Sequence, residues 1–403
     1  MTRSTAGSPG HEGGSRPRPR ILLLLAGVVL GGACRPGDVS PSADELASGR
    51  EIFRHETFGN ESFWTDTLGM ARVIASAVDP TTALSVGLKV DMDALPPEVV
   101  SGIQQGRIDL TSPATTVTLL RLNAVLGLRG TVVTVAGRET LTRVGITCAL
   151  CHSTVDDAFS AGIGHRMDGW PNRDLNVGAI IALSPAVPDA QKAIYQSWGP
   201  GKYDPRFNID GQSTPLVLPP AYGLADVENK TYTAEGPISY WNAYVAVTQM
   251  HGRGNFSDER LGIHVTHSPD LVTPRLEALR VYQHSLRAPS PPAGSFDAAA
   301  ARRGEATFEA NCETCHTGGN LTDNNRGVLH DPAETGMSGA YAARTANRRY
   351  RTTPLRGLWQ HPPYFHDGSA ATLRDVVEHY ERVRNLRLSS AQKNDLVEYL
   401  KTL

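Results

Sequence analysis

Apolar residues recur at helical spacing toward the end of the chain. Leu373, Val376, Val377 and Tyr380 mark a helix over Thr372–Val383. Leu396, Tyr399 and Leu400 mark a final helix that Ser389 or Ser390 would cap. Ala298–Ala310 combines good helix formers with Ala301, Ala306 and Phe308 at apolar positions. Earlier in the chain the pattern predicts helices over Ala47–Arg54, Trp64–Ala77, Pro96–Gln105 and Thr115–Leu126. Thr131–Val135 and Leu141–Gly145 flank Gly137 and predict a short hairpin. The stretch 184–236 is rich in Pro and Gly and predicts loops with little regular structure. The expected class is mainly α, with long loop-rich segments.

Two breaks divide this pattern. Arg16, Arg18 and Arg20 precede the short apolar run Ile21–Ala33, which falls below the roughly 20 residues of a membrane span. A basic start, a short apolar run and small residues before the cut describe an export signal over 1–33. Cleavage before Cys34 would leave a polar tether over 34–45. The segment resembles a bacterial lipoprotein signal, in which Cys34 carries a lipid. It departs from that pattern by placing Leu30 and Gly31 one step out of register, and ordinary cleavage is the alternative. Either reading exports the chain to the periplasm or cell envelope. The second break is Arg287-Ala-Pro-Ser-Pro-Pro-Ala-Gly-Ser295, where three prolines and a glycine stop any helix or strand. It separates a region 46–287 from a region 296–403 through a linker at 288–295.

Composition narrows the function. The chain has 403 residues, 40% of them hydrophobic, with 39 Lys and Arg against 41 Asp and Glu. That balance is globular and carries no electrostatic footprint for nucleic acid or an anionic membrane, so any membrane attachment would rest on Cys34. The 5 cysteines are too few for a disulfide scaffold. Beyond Cys34 they form two pairs, one in each region.

Those pairs read Cys148-Ala-Leu-Cys151-His152 and Cys312-Glu-Thr-Cys315-His316. This is the c-type haem attachment pattern. Two thiols add across the vinyl groups of one porphyrin, and the next residue presents its imidazole to the iron. Zinc sites of this kind place their pairs about 15–20 residues apart, far closer than here. A redox pair would need a βαβ context that the pattern lacks. Two covalently bound haems, ligated by His152 and His316, are the expected cofactors.

Pro363-Tyr-Phe-His-Asp-Gly-Ser369, together with Thr353-Pro-Leu-Arg-Gly357, resembles the C-terminal haem domain of the bacterial di-haem cytochrome c peroxidase / MauG family. The resemblance covers about 298–403 well and is limited to about 145–180 in the first region. It implies two cytochrome c-like haem domains, electron transfer between them, and peroxidase or MauG-like oxidative activity at the N-terminal haem. A pure electron carrier without substrate chemistry is the alternative. The implied partners are a small redox protein or quinone-chain electron donor and hydrogen peroxide.

The resemblance also implies site residues. The family's sixth ligand to the C-terminal iron falls 14 residues after His366, at Tyr380, and Met337 is the rival. A phenolate oxygen would favour ferric iron, whereas a thioether would raise the potential. His366 and Asp367 would stand near that haem, or would simply make the turn at Asp367-Gly368. Gly162-Ile-Gly-His165 resembles the family segment whose His caps the N-terminal iron, making His165 the expected distal residue. Met167, Met250 and His251 are alternatives. Asn172 resembles a calcium ligand, with the carbonyls of His361 and Pro363 completing a Ca2+ site. Trp170 and Trp241 are candidates for an aromatic residue between the haems. About 100 residues precede the first haem motif, an extension to which the sequence assigns no function.

Overall fold

The computed structural model describes residues 41–403. The export signal, Cys34 and the start of the tether lie outside the described residues. Among them, no helix is long and apolar enough to cross a membrane, and every sheet has two strands.

The first helix spans Ala43–His55 and begins with a capping box between Ser42 and Glu45. It crosses the helix Leu276–Ser285 at Gly49, where a Cβ would lie 2.1 Å from the Ala278 carbonyl oxygen. Phe53, fully buried, meets Tyr282 at that crossing with ring centroids 5.6 Å apart. The expected helix over Trp64–Ala77 is split into a π-helical turn, Ser62–Thr67, and a helix, Met70–Ala77. Gly69 separates them with φ of 70°, a left-handed conformation that an α-helix does not contain. Pro97–Gln104 is helical as the pattern predicts. The helix expected over Thr115–Leu126 spans Pro113–Arg121. Beyond it, the Ala124 carbonyl accepts from Asp91 N–H and Leu126 N–H donates to Lys89, so strand-like pairing replaces further helical turns.

The hairpin is longer than predicted: Leu128–Val135 pairs with Arg138–Ile146. Ala136 and Gly137 both have positive φ, the geometry of a tight two-residue hairpin turn. Its inner end delivers the chain to the first cysteine pair. Gly127 is essential there, because a Cβ would lie 2.1 Å from the Leu150 nitrogen. The stretch 184–236 holds more structure than its composition suggests. Helices Asp189–Gln196 and Phe207–Asp210 and the paired strands Lys202–Tyr203 and Leu216–Val217 lie within it. Trp198 organises this region through edge contacts with Tyr195, Tyr203 and Phe207. Apolar burial against these rings offsets the weak local propensity.

Residues 286–297 contain no helix or strand. After them, Ala298–Asn311 packs across the last helix, Ser390–Leu400, which Ser389 caps. Gly304 permits the close crossing, since a Cβ would lie 2.0 Å from the Asp395 carbonyl oxygen. Leu373–Arg384 completes this part behind a Thr372/Asp375 capping box. Phe308, Leu358, Leu373, Val377, Leu396 and Leu400 form its core. Residues 41–403 are nonetheless one unit by their contacts.

Candidate haem-binding sites

Each cysteine pair sits on a single tight turn at the mouth of an apolar cavity. In the first, Thr147 N–H donates to the Gly127 carbonyl at 2.9 Å and its hydroxyl to the Arg54 carbonyl at 3.0 Å. Those bonds launch the short helix Ala149–His152. His152 Nδ1 bonds the Pro219 carbonyl at 3.1 Å, which leaves Nε2 free as a ligand. Burial pushes the His152 imidazole down to about 4, so it is neutral near pH 7 and its lone pair is available. Burial also pushes both thiols, Cys148 and Cys151, up to about 12. All three side chains line one cavity together with Ile74, Leu88 and Met250.

The second motif follows from the helix Ala298–Asn311. Cys312 N–H donates to Phe308 at 2.7 Å and His316 N–H to Cys312 at 2.9 Å, which turns the imidazole back toward the helix. His316 Nδ1 bonds the Leu321 carbonyl at 3.0 Å. Burial again lowers the imidazole, and raises Cys312 to about 11. The cysteines and His316 line a second cavity, walled by Phe308, Leu358 and Val377. All four cysteines are free thiols. Both donor sets, with an oriented imidazole and two thiols facing an apolar chamber, fit a c-type haem. Cys315 also lies near Asp323 and His330, their ligand atoms within 4.8 Å of one another. Both His330 nitrogens are taken there, by Asp323 at 3.0 Å and Glu334 at 3.1 Å, which makes this a side-chain hydrogen-bond network.

The expected extension has a place in this geometry. Trp64, Met70, Ile74, Leu88 and Leu119 all belong to it and form walls of the first cavity.

The remaining expected residues divide. Tyr380, Met337 and His366 line the second cavity. His366 is buried, with Nε2 3.1 Å from the Tyr350 hydroxyl. Asp367 caps the adjoining turn, its carboxylate accepting from Ser369 N–H at 3.0 Å. His165 lies outside the first cavity, a correction to its expected distal place. Ile163 and Gly164 pair in parallel with Val90 and Asp91, and the exposed His165 Nδ1 meets Asp93 at 2.9 Å. That carboxylate raises the imidazole above its ordinary value. Of its alternatives, Met250 lines the cavity, whereas Met167 and His251 do not. His251 stacks on Phe63 with centroids 3.6 Å apart. Asn172 is buried, donates to the Gly87 carbonyl at 2.8 Å, and leaves Oδ1 without a partner among the described residues. That orphaned oxygen fits a cation ligand.

The two cavities share a wall formed by Pro219, Pro220, Leu224, Thr231, Tyr232 and Arg351. Neither expected tryptophan stands in it. Trp241 lines the first cavity only, and Trp170 packs against Tyr222 and Trp359 away from both. The aromatic residue of the shared wall is Tyr232, whose hydroxyl donates to the Val217 carbonyl at 3.1 Å. A sequence signal for it exists. Pro220-Ala-Tyr-Gly-Leu224 echoes Pro354-Leu-Arg-Gly-Leu358, and the same offset carries Tyr232 onto His366.

No family model matches the chain. It is 24% identical over 304 residues to the methylamine utilization protein MauG of Methylorubrum extorquens, spanning 65% of this chain and 74% of that protein. It is 28% identical over 121 residues to MauG of Methylophilus methylotrophus, spanning 26% of this chain and 36% of that protein. Among solved structures, Kuenenia stuttgartiensis hydrazine synthase and a MauG-like protein associated with microbial copper homeostasis each match with a TM-score of 0.35 and 20% identity, covering 48% of this chain and 74% of theirs. The chain is similar in sequence to the MauG-like di-haem cytochrome c peroxidase family.

Proposed function

We propose that this protein is an exported di-haem c-type cytochrome that passes electrons between a haem held by Cys148, Cys151 and His152 and another held by Cys312, Cys315 and His316. The observation that carries this reading is the pair of apolar cavities, each opened by one motif with a carbonyl-oriented imidazole, which meet at a common wall. Haem supplies the redox chemistry, and the chain supplies axial ligands, orientation and exclusion of water. The two haem-bearing regions are 46–287 and 296–403, each cytochrome c-like around its own motif. A pyridine haemochrome assay on the purified protein should count two c-type haems per chain. A count of none would overturn the reading.

One feature bears on the choice between an oxidative enzyme and an electron carrier. Among the described residues, no Asp or Glu lines the N-terminal cavity, and its only imidazole is His152. Reducing hydrogen peroxide requires a proton to move from one oxygen to the other, which a positioned acid–base group performs. Gln249, whose amide oxygen accepts from the Tyr203 hydroxyl at 2.7 Å, is polar but transfers no proton at neutral pH. With Lys230 and the tyrosines as other proton-bearing groups of the lining, this supports electron transfer, from a small redox protein or a quinone-linked donor, ahead of peroxide turnover. Sustained peroxide reduction by the one-electron-reduced protein would overturn that choice and restore the MauG-like oxidative reading.

Asn172 would contribute a calcium ligand through its orphaned Oδ1. Residence in the periplasm or cell envelope, with or without a lipid on Cys34, rests on the N-terminal sequence. Labelling with a radioactive fatty acid decides the lipid.

A further inference from the structure

Buried cations in this protein are normally paired. Arg206 meets Glu235 at 2.6 Å, and Arg344 meets Asp204 at 2.8 Å. Three cations beside the cavities, Lys230 buried and Arg173 and Arg351 partly buried, break that rule. Arg173 has Nε and Nη1 enclosed without a partner, and Arg351 has Nε in the same condition. Lys230 donates only to the Leu224 carbonyl, at 2.9 Å. None of the three forms a salt bridge among the described residues. Burying such charges without a counter-charge is costly, so their surroundings call for an anion. Burial lowers Arg351 to about 10 and Lys230 to about 8, and both keep their proton near pH 7.

Their placement is specific. Among the described residues, Lys230 and Arg351 are the only Lys or Arg lining the N-terminal cavity. Arg351 lines both cavities, and Lys230 adjoins Thr231 and Tyr232 of the shared wall. Arg173 lines the C-terminal cavity, as do Arg356, held on the Gly223 carbonyl, and the exposed Arg384. A haem bound through its vinyl groups carries two propionates on its opposite edge. For a porphyrin tethered at Cys148 and Cys151, the cations that the described residues offer those carboxylates are Arg351 of the shared wall and Lys230 beside it.

We infer that Arg351 is a common counter-ion for the propionates of both haems, with Lys230 completing the N-terminal clamp and Arg173 the C-terminal one. This rests on the di-haem reading above. It turns the propionate edge of the N-terminal haem toward its neighbour and links the two potentials through one guanidinium. A cation beside a haem disfavours the ferric state, so its removal lowers the midpoint potential.

Spectroelectrochemical titration of the holoprotein tests this. The haem count is taken first, because a chain without two haems fails the di-haem reading itself. With two haems present, Arg351→Gln should move both midpoint potentials to lower values, and Arg351→Lys should restore most of the shift. Lys230→Gln should lower the N-terminal potential alone, and Arg173→Gln the C-terminal potential alone. An Arg351→Gln protein that shifts one haem or neither overturns the shared clamp. So does an Arg351→Lys protein that shifts as far as the glutamine variant. Should Arg351→Gln not accumulate, the other two decide: Lys230→Gln and Arg173→Gln must move different haems, and any other result overturns the assignment.

Discussion

Tyr222 and Arg356 each donate to the backbone of the other's segment. The Tyr222 hydroxyl lies 3.5 Å from the Gly357 carbonyl oxygen, and Arg356 Nη1 lies 2.7 Å from that of Gly223. The two residues hold equivalent places in Pro220-Ala-Tyr-Gly-Leu224 and Pro354-Leu-Arg-Gly-Leu358. The two contacts are reciprocal in the way that contacts across the axis of a symmetric dimer are. Leu224 and Leu358 carry this seam onto the cavity walls, Leu224 lining both cavities and Leu358 the second.

The seam's glycines differ in a way that can be measured. Gly223 and Gly357 have φ of 63° and 64°, where a side chain costs roughly 1–2 kcal/mol. A Cβ on Gly357 would lie 2.5 Å from the Tyr222 hydroxyl, which is buried. A Cβ on Gly223 would lie 3.1 Å from Cδ of Arg356, a flexible side chain. Gly357→Ala should therefore lower the urea midpoint more than Gly223→Ala does. Equal losses would mean that backbone conformation alone decides.

Gly304 inverts an ordinary rule. Alanine in place of glycine inside a helix usually gains up to about 1 kcal/mol. At this crossing the new Cβ would collide with the Asp395 backbone at 2.0 Å, and backbone cannot step aside. Overpacking of this sort costs about 1–3 kcal/mol, so Gly304→Ala should destabilise. Thermal unfolding of the holoprotein reads the sign directly, and a raised midpoint would show that the two terminal helices can separate without loss.

What the sequence made legible was local. Ser389, Thr372 and Gly137 announce their caps and turn through short-range hydrogen bonding, and both haem motifs stand within five consecutive residues. The losses were long-range. The echo of Pro354–Leu358 in Pro220–Leu224 sets Tyr232 against His366, but its place between two cavities follows only once Arg351 converges on that segment from far along the chain. His165 sits in a family-like tripeptide, yet pairing of Ile163 and Gly164 with Val90 and Asp91 leaves it exposed beside Asp93. The extension before the first motif gained a role only when its apolar residues proved to wall the first cavity.

His361 gives the fold an acid-sensitive component. Burial, reinforced by the nearby Arg173 charge, pushes its imidazole down to about 4. An unfolded chain would bind a proton near 6.5. The folded state therefore binds fewer protons between those values, and stability falls as pH drops through that window. The slope is at most about 1.4 kcal/mol per pH unit, and less to the extent that solvent reaches the ring. His361→Gln should flatten the pH dependence of the urea midpoint between about pH 6.5 and 4. An unchanged slope would assign the acid sensitivity to other groups.

On the proposed di-haem reading Tyr380 and Met337 are the two candidates for the sixth position at the C-terminal iron, and their surroundings differ. Tyr380 lies close enough to Cys312 and Cys315 to feel both electrostatically, with the Arg384 charge on the same phenol. Met337 packs instead with the cluster of Tyr341, Ala342 and Tyr350. Burial raises the Tyr380 phenol to about 12, while Arg384 acts in the opposite direction and would favour the ionised oxygen that a ferric iron takes. Tyr380→Phe should alter the ferric spectrum of the C-terminal haem and raise its potential, because the ligand that favours ferric iron is gone. Met337→Leu should leave both unchanged. The reverse pattern would assign the position to Met337 and would make the C-terminal haem a high-potential acceptor.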